Sequence, residues 1–279
     1  MSDLIPPFVP DQDEGRRKRF KVIPFRLLAP NLVTLLALCL GLTAMRLVVE
    51  GKLEAAVICI LVAAVLDGVD GRLARYLKGT SRFGAELDSL SDFVCFGVAT
   101  GFVLYQFALK DLRSFGWIIA LVLACAMALR LARFNVMLDD PNRPEWQKNY
   151  FVGMPAPAGA ITVMLPLYLH FMGIPVTGYV APLVGAYVLF IAFLTISRIP
   201  CYAGKTVGTG VPRDKVVPIF LGVVLAVGAF VAFPFEMLAL IVVAYLCLIP
   251  LSVSRYRAHE KADADAARAV GETPEVASP

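Results

Sequence analysis

Eight apolar stretches, each close to 20 residues long, dominate this sequence and leave few folds open to it. Hydrophobic residues make up 58% of the 279 residues, and the mean hydropathy is +0.73. Soluble domains contain roughly 45–50% apolar residues, and a helix needs about 20 residues to cross the hydrocarbon core of a bilayer. We therefore predict an all-α integral membrane protein with about eight transmembrane helices. The predicted spans are residues 30–49, 53–77, 86–109, 115–136, 157–173, 176–197, 216–233 and 236–254.

Lys and Arg are distributed unevenly between the two ends of these predicted helices. If the N-terminus is cytoplasmic, 22 of the 26 Lys and Arg fall on the cytoplasmic side. The four exceptions are Arg46, Lys52, Lys110 and Arg113. Cytoplasmic segments of membrane proteins are enriched in positive charge, so we expect both termini in the cytoplasm. We expect the membrane to be a bacterial-type inner (plasma) membrane.

The two ends of the chain differ in composition from its apolar middle. Residues 1–28 begin with a Pro-rich, acidic stretch that is too polar to pack. A basic segment follows, and we expect it to lie as a juxtamembrane helix on the inner leaflet. The cytoplasmic tail, residues 255–279, is rich in Ala, Asp and Glu and is expected to be a fraying helix. Between these ends we expect a transmembrane core at residues 29–205 and two additional helices within residues 206–254.

Four carboxylates interrupt the apolar sequence near its first third. Asp67 and Asp70 are three residues apart, and Asp88 and Asp92 are four apart, so each pair shares one helix face. Ionisable groups at membrane depth are costly and mark functional sites. Hard divalent ions such as Mg²⁺ and Mn²⁺ prefer oxygen ligands. The sequence therefore predicts a metal site. The structural alternative is that the acids form ion pairs with the arginines of the same segment, which are Arg72, Arg75 and Arg82.

The spacing of this segment resembles the signature of the CDP-alcohol phosphatidyltransferase family. The matching pattern is Asp67-x2-Asp70-Gly71-x2-Ala74-Arg75-x8-Gly84-x3-Asp88-x3-Asp92. The resemblance covers about residues 25–205 and implies a six-helix catalytic core and a homodimer. It also implies that the four aspartates hold two divalent ions, Mg²⁺ or Mn²⁺, on the diphosphate of a CDP-linked lipid. Asp92 would in addition be the catalytic base.

Small residues share a helix face with the first two acids. Gly71 and Ala74 leave room for a ligand or for the close approach of another helix. The resemblance implies that the cytosine ring of CDP-diacylglycerol lies there, and Gly84 belongs to the same motif. Arg75 suits the nucleotide phosphate, because a guanidinium fork matches phosphate oxygens.

The first predicted span opens with Pro30-Asn31-x2-Thr34. Proline suits a first helical turn, so helix capping explains this pattern in structural terms. Asn31 and Thr34 nevertheless share one face at the depth of the acids. In the resembling family a similar Asn-x2-Thr helps to form the nucleotide pocket, so we include both residues in the predicted CDP-diacylglycerol site.

Three later stretches concern the alcohol that accepts the phosphatidyl group. The sequences ALRLARFN at residues 128–135 and YFVGMPAPAGA at residues 150–160 resemble the branch of the family that uses L-serine. ISRIPCYAGK at residues 196–205 fits that branch loosely. The resemblance implies transfer of the phosphatidyl group of CDP-diacylglycerol to L-serine, giving phosphatidylserine and CMP.

Two arginines in the first of these stretches are candidates for binding serine. Arg130 and Arg133 are three residues apart on one helix face and can jointly receive an anion such as a carboxylate. Snorkelling towards the bilayer surface is the structural alternative. Asn135 completes the predicted serine site.

Other functions remain as alternatives. Glycerol 3-phosphate and inositol phosphate would also need a basic pocket, so arginine alone does not exclude them, and choline stays open as an acceptor. Membrane prenyltransferases carry their two acidic motifs on distant helices, whereas both acid pairs of this sequence lie within residues 67–92. Ion-coupled transporters place their sites near the bilayer midplane in repeated halves, and this sequence has no matching second motif. The expected partners are CDP-diacylglycerol, L-serine and membrane lipids, with no nucleic acid.

Overall fold

A computed structural model of the protein describes residues 25–138, 150–176, 178–197, 199–202 and 216–271. The basic N-terminal segment before residue 25 and the last eight residues of the tail lie outside this range. Nearly all of the described residues are helical. In chain order the elements are α1 (Phe25–Val49), α2 (Leu53–Tyr76), α3 (Arg82–Asp92), a π-helix (Phe93–Ala99), α4 (Thr100–Phe107), a 3-10 turn (Leu109–Leu112), α5 (Ser114–Leu138), β1 (Tyr150–Val152), α6 (Ala156–Val163), α7 (Leu165–Phe171), a second 3-10 turn (Gly178–Val180), α8 (Ala181–Ile196), β2 (Pro200–Tyr202), α9 (Val216–Ala232) and α10 (Pro234–Gly271).

Each of the eight predicted apolar stretches corresponds to a helical region of the described chain. Five of these regions are long and apolar enough to cross a membrane, and α6–α7 and α9 form shorter apolar helices. The remaining region, α2, is 24 residues long but carries the first two aspartates. The prediction of a helical integral membrane protein is therefore confirmed.

Two of the predicted spans are interrupted helices. The fifth divides into α6 and α7 beside Pro166, which has no N–H to continue the helical hydrogen bonds. In the third, the π-helix joins α3 to α4 directly after Asp92. There Thr100 Oγ1 donates to the Cys95 carbonyl oxygen at 3.0 Å. Such π-helical turns are often found at functional sites.

A short two-stranded antiparallel ladder departs from the predicted all-α fold. Tyr150 pairs with Tyr202, and Val152 pairs with Pro200. The ladder thus joins two of the stretches that bear on the acceptor, although they are separated by three α-helices in the sequence. Strands of three residues carry too little periodicity to be predicted from a single sequence.

Small residues allow the first helices to approach closely. α1 packs along α2, with Ala44 of α1 and Ala56 and Ala63 of α2 fully buried. A Cβ atom at Gly41 would lie 2.6 Å from the Cys95 Sγ atom, so α1 also needs glycine where it meets the π-helix. Because lipid provides no hydrophobic driving force between helices, close packing of this kind holds membrane helices together.

The last two helices, which we expected to lie outside the core, pack differently. No residue of α9 is buried, and its main neighbour is α10. In contrast, α10 packs on α7 and β2 and buries Leu238, Val242 and Ser252. The centre of the Phe235 ring lies 4.5 Å from the centre of the Phe171 ring. α10 is therefore attached to the core, whereas α9 lies at its periphery.

Candidate active site

Three carboxylates meet where α2 and α3 converge. One oxygen atom each from Asp67, Asp70 and Asp88 lies within 4.8 Å of the other two. The helical spacing places Asp67 and Asp70 one turn apart on α2, and α3 supplies Asp88. A group of three carboxylate oxygens suits a hard divalent cation. These residues could therefore hold a metal ion.

A tight turn between α2 and α3 brings the acids together. α2 ends at Tyr76, and just beyond it Lys78 has a left-handed φ of 50°. The Gly79 N–H then donates to the Ala74 carbonyl oxygen at 2.9 Å, which is a common way to end a helix. Ser81 caps α3, because its Oγ atom accepts a hydrogen bond from the Gly84 N–H at 3.0 Å. The chain thus reverses within a few residues.

Asp92 lies beside the group of three rather than within it. Its buried carboxyl group is within hydrogen-bonding reach of the Asp67 carboxyl group. The structure therefore places the fourth predicted acid next to the others, and both Asp92 and Asp67 interact electrostatically with Arg130.

Thr34 connects α1 to the acids. Its Oγ1 atom donates to Asp70 Oδ2 at 2.6 Å and also lies 3.1 Å from the Pro30 carbonyl oxygen. Thr34 is 5% exposed and Asp70 is 4% exposed. Of the two interpretations of Pro30-Asn31-x2-Thr34, this contact favours a role in the site over helix capping alone.

A cavity of about 170 Å³ lies next to the acids, between α1, α2 and α3. Five of the six residues predicted to bind CDP-diacylglycerol line it. They are Asn31, Thr34, Gly71, Ala74 and Gly84. Asp70 and Asp88 also line the cavity, and so do Thr80 and Ser81 of the turn. The cavity and the possible metal site therefore share a wall.

The two glycines of the motif serve different structural needs. A Cβ atom at Gly71 would meet nothing within 4 Å, so this glycine leaves open space in the cavity. At Gly84, a Cβ atom would lie 3.0 Å from Asn31 Oδ1 and 3.1 Å from Ser81 Oγ. Gly71 therefore leaves room for a ligand, whereas Gly84 lets α3 approach α1.

Arg75, the sixth predicted residue, does not line the cavity. Its side chain is exposed, and its Nε atom donates to the Gly71 carbonyl oxygen one turn earlier in α2 at 3.0 Å. The guanidinium thus lies along the helix near the cavity rim. Its predicted contact with the nucleotide phosphate stays a prediction.

Arg130 brings a positive charge from α5 towards the acids. It is 7% exposed, and it lies near enough to Asp92 and Asp67 to interact electrostatically. Within the described part of the chain, it forms no ion pair with either carboxylate within 4.0 Å. Its guanidinium carbon lies 5.1 Å from the centre of the Phe134 ring, within range of a cation–π contact. This burial favours a position inside the helix bundle over snorkelling to the bilayer surface, and the predicted contact of Arg130 with serine stays a prediction.

Arg133 has different neighbours from Arg130. Its Nη1 atom donates to the Ile196 carbonyl oxygen at 2.7 Å, and its Nη2 atom donates to the Ser197 carbonyl oxygen at 3.1 Å. These carbonyl groups lie at the C-terminal end of α8, where cations are stabilising. Gly153 has a φ of +80°, and a Cβ atom there would lie 3.0 Å from Arg133 Nη2. The two arginines therefore have different partners, although they remain close enough to interact electrostatically, and their joint role in binding serine stays a prediction.

Asn135 is held against α3. Its Nδ2 atom lies 3.0 Å from Ser89 Oγ, and Ser89 Oγ lies 3.2 Å from Asn135 Oδ1. Ser89 follows Asp88 directly in the chain, so Asn135 connects α5 to the acid-bearing helix. A direct contact of Asn135 with serine stays a prediction.

Several residues near the site were not predicted from the sequence, among them Ser91, Thr80 and Tyr245. Ser91 Oγ donates to the Thr34 carbonyl oxygen at 3.2 Å, which ties α3 to α1. Thr80 lines the cavity, and Tyr245 of α10 lies within electrostatic range of Arg130. Of these three, only Thr80 had a sequence signal, because it lies in the turn between the two acid pairs.

Comparison with known proteins identifies the family. The model of the CDP-alcohol phosphatidyltransferase family matches residues 27–197. The chain belongs to this family. A second model, CDP-alcohol phosphatidyltransferase 2, matches residues 215–250, which span α9 and the first part of α10. The resemblance noted in the sequence is therefore confirmed.

Several similar relatives within the family share one name. The chain is 39% identical over 240 residues to the CDP-diacylglycerol–serine O-phosphatidyltransferase of Mycobacterium leprae, covering 82% of this chain and 75% of the relative. It is 38% identical over 231 residues to the enzyme of that name from Mycobacterium tuberculosis, covering 82% and 79%. With the Helicobacter pylori enzyme it shares 33% identity over 205 residues, covering 71% and 81%.

Proposed function

We propose that the protein transfers the phosphatidyl group of CDP-diacylglycerol to the hydroxyl group of L-serine, forming phosphatidylserine and releasing CMP. The observation that carries this proposal is the group of three carboxylates beside a cavity that Gly71 leaves open. This arrangement suits a nucleotide diphosphate, and the family relatives named above use serine as the acceptor.

Asp67, Asp70 and Asp88 would hold the divalent metal, with Asp92 as the fourth acid of the set. A cation is supported here because, among the interactions described for these buried or half-buried carboxylates, Arg130 supplies the one nearby guanidinium. Uncompensated charges of this kind are costly in a low-dielectric site. Two ions, Mg²⁺ or Mn²⁺, would neutralise the charge of the diphosphate.

Asp92 would act as the general base. Its carboxylate would accept the proton of the serine hydroxyl while the serine oxygen attacks the lipid-bearing phosphorus in line. The bond between that phosphorus and the bridging oxygen breaks, and this oxygen leaves as part of CMP. The burial of Asp92 beside Asp67 and within electrostatic range of Arg130 supports this role, because the base then lies next to the group of three acids.

The nucleotide would occupy the cavity between α1, α2 and α3. Gly71 and Ala74 would lie under the cytosine ring, with Asn31 and Thr34 on the opposite wall. Gly84 would permit the approach of α3, and Arg75 would turn from the Gly71 carbonyl group towards the nucleotide phosphate. In this arrangement the catalytic core is the segment at residues 29–205.

The serine carboxylate would bind at Arg130. This side chain is buried and carries the positive charge nearest to Asp92 among the interactions described for that acid. Asn135 would border the same space from α5, and Arg133 would contribute from the next turn. We further propose a homodimer in the inner membrane, with the α2–α3 turn facing the cytoplasm.

The direct test is release of CMP from CDP-diacylglycerol by the purified protein. Serine should support release, whereas inositol, choline, glycerol 3-phosphate and inositol phosphate should not. EDTA should abolish the reaction reversibly. Release with a phosphorylated acceptor in place of serine would change the proposed acceptor but keep the chemistry. A protein that releases no CMP with any acceptor would overturn the proposed function.

A further inference from the structure

One buried threonine links all three helices that surround the acids. Thr34 lies on α1, its hydroxyl group donates to Asp70 on α2, and its carbonyl oxygen accepts a hydrogen bond from Ser91 on α3. The donor–acceptor distances are 2.6 Å and 3.2 Å. Thr34 therefore sits where a shift of any of the three helices would move a carboxylate of the group.

The hydroxyl group of Thr34 has two possible acceptors, the Pro30 carbonyl oxygen and Asp70 Oδ2. Threonines in helices commonly donate to the carbonyl group four residues earlier, as Thr43 does to Cys39 at 2.6 Å. For Thr34 the corresponding contact, to Pro30, is 3.1 Å, whereas the contact to Asp70 is 2.6 Å. Hydrogen bonds to ionised acceptors are shorter and stronger than neutral ones, so the Asp70 carboxylate is the preferred acceptor.

A hydrogen bond of this type orients a carboxylate and leaves its other lone pairs available to a metal ion. A carboxylate offers about four lone-pair directions, so Asp70 can accept from Thr34 and still direct oxygen lone pairs towards Asp67 and Asp88. Groups that hold metal ligands in this way typically change metal affinity by 10- to 100-fold when they are removed.

We propose that Thr34 is a positioning residue for the metal centre, holding Asp70 in the orientation in which it binds the divalent ion. The inference rests on the proposed metal role of Asp70. It assigns α1 a function in metal binding, beyond the contribution of Asn31 and Thr34 to the nucleotide cavity. Ser91 supports the same arrangement by holding the Thr34 carbonyl group from α3.

The test is Mn²⁺ binding to the purified, substrate-free protein in detergent, measured by electron paramagnetic resonance titration. Thr34→Val keeps the shape of the side chain and removes only the hydroxyl group, and we expect its Mn²⁺ affinity to fall roughly 10-fold or more. Thr34→Ser restores the hydroxyl group and should bind Mn²⁺ nearly as well as the wild type. Thr43→Val is the matched control, because Thr43 is on the same helix and bonds to Cys39 instead of an acid.

The outcomes separate this inference from the proposed function. If Asp70→Asn weakens Mn²⁺ binding but Thr34→Val does not, the positioning role is wrong and the metal centre survives. If the wild type binds no Mn²⁺, the metal centre fails and the inference fails with it. If Thr34→Val loses affinity for CDP-diacylglycerol but not for Mn²⁺, the positioning role is wrong, and Thr34 contributes only to nucleotide binding. Thr34→Ala, which adds no bulk, replaces the valine variant if that variant does not fold.

Discussion

The two sides of the site are assembled in different ways. On the proposed diphosphate side, the acids and the small residues of the cavity come from one continuous segment, α2–turn–α3, with α1 packed against it. On the proposed acceptor side, Arg133 reaches carbonyl groups 63 and 64 residues away, and the β1–β2 ladder joins segments on either side of α6, α7 and α8. The first side is local in sequence and the second is not.

This difference explains which predictions describe the structure well. Spacing along one helix determines which residues share a face, so a motif within two consecutive helices predicts its own geometry. Arg130 and Arg133 also share spacing on one helix, yet the acids near Arg130 and the carbonyl groups bound by Arg133 belong to other elements. The spacing therefore predicted that the two arginines share a helix face, but it did not predict their contacts.

The largest effect should come from the diphosphate side. Replacing any one of Asp67, Asp70, Asp88 or Asp92 by Asn removes a charge at nearly constant shape, and turnover should fall at least about 100-fold, because metal ions supply several kcal/mol of charge stabilisation. The measurement is CMP release at saturating Mg²⁺ and Mn²⁺. Glu86→Gln, on the exposed face of α3, is the control and should retain activity. An Asp88→Asn protein with wild-type turnover would contradict the proposed metal role of these acids.

Asp92 should be distinguishable from the group of three. As the base it assists proton transfer, a contribution of typically 10²- to 10⁴-fold, while its position outside the closest group of oxygens predicts a small role in holding the lipid. Asp92→Asn should therefore lose turnover but keep most of its affinity for CDP-diacylglycerol, measured by equilibrium binding. Equal losses in binding and turnover would make Asp92 a metal ligand only.

The two arginines provide a sharper test of the acceptor side. Lysine keeps the charge but loses the planar pair of donors, and loss of a charge-assisted hydrogen bond costs about 1.5–3 kcal/mol. Arg130→Lys should therefore raise the KM for serine roughly 10- to 150-fold with little change for CDP-diacylglycerol. Arg133→Lys should raise the KM for serine less and should chiefly lower the thermal stability, because Arg133 already binds the carbonyl groups at the end of α8. Unchanged serine kinetics in both variants would remove the arginines from the acceptor site and weaken the case for serine.

The smallest effect should distinguish two glycines on α2. A Cβ atom added at Gly68 or at Gly71 would meet nothing within 4 Å, but of the two only Gly71 lines the cavity. Gly71→Ala should weaken CDP-diacylglycerol binding by about 1 kcal/mol, roughly 5-fold, because the methyl group enters the ligand space. Gly68→Ala should leave binding unchanged and stabilise the helix by roughly 0.5–1 kcal/mol. Equal binding by both variants would mean that the nucleotide does not lie over Gly71.

The sequence by itself determined the helical membrane fold and the pairing of the acids on two helix faces. In apolar stretches of bilayer length, the backbone N–H and C=O groups find no water in the bilayer core, so they form their hydrogen bonds within helices. The spacing of the four aspartates likewise determined that each pair shares one helix face. These features depend on residues within one or two helical turns of each other, which is why they can be derived without coordinates.

The tertiary structure alone decided how the helices share their contacts. It placed Thr34 against Asp70, directed Arg130 towards the acids and Arg133 towards the end of α8, and attached α10 but not α9 to the core. None of these contacts follows from spacing, because each depends on how two distant helices are rotated and displaced relative to each other. That arrangement is set by close packing of small residues throughout the bundle, a property of the whole chain and not of any one segment.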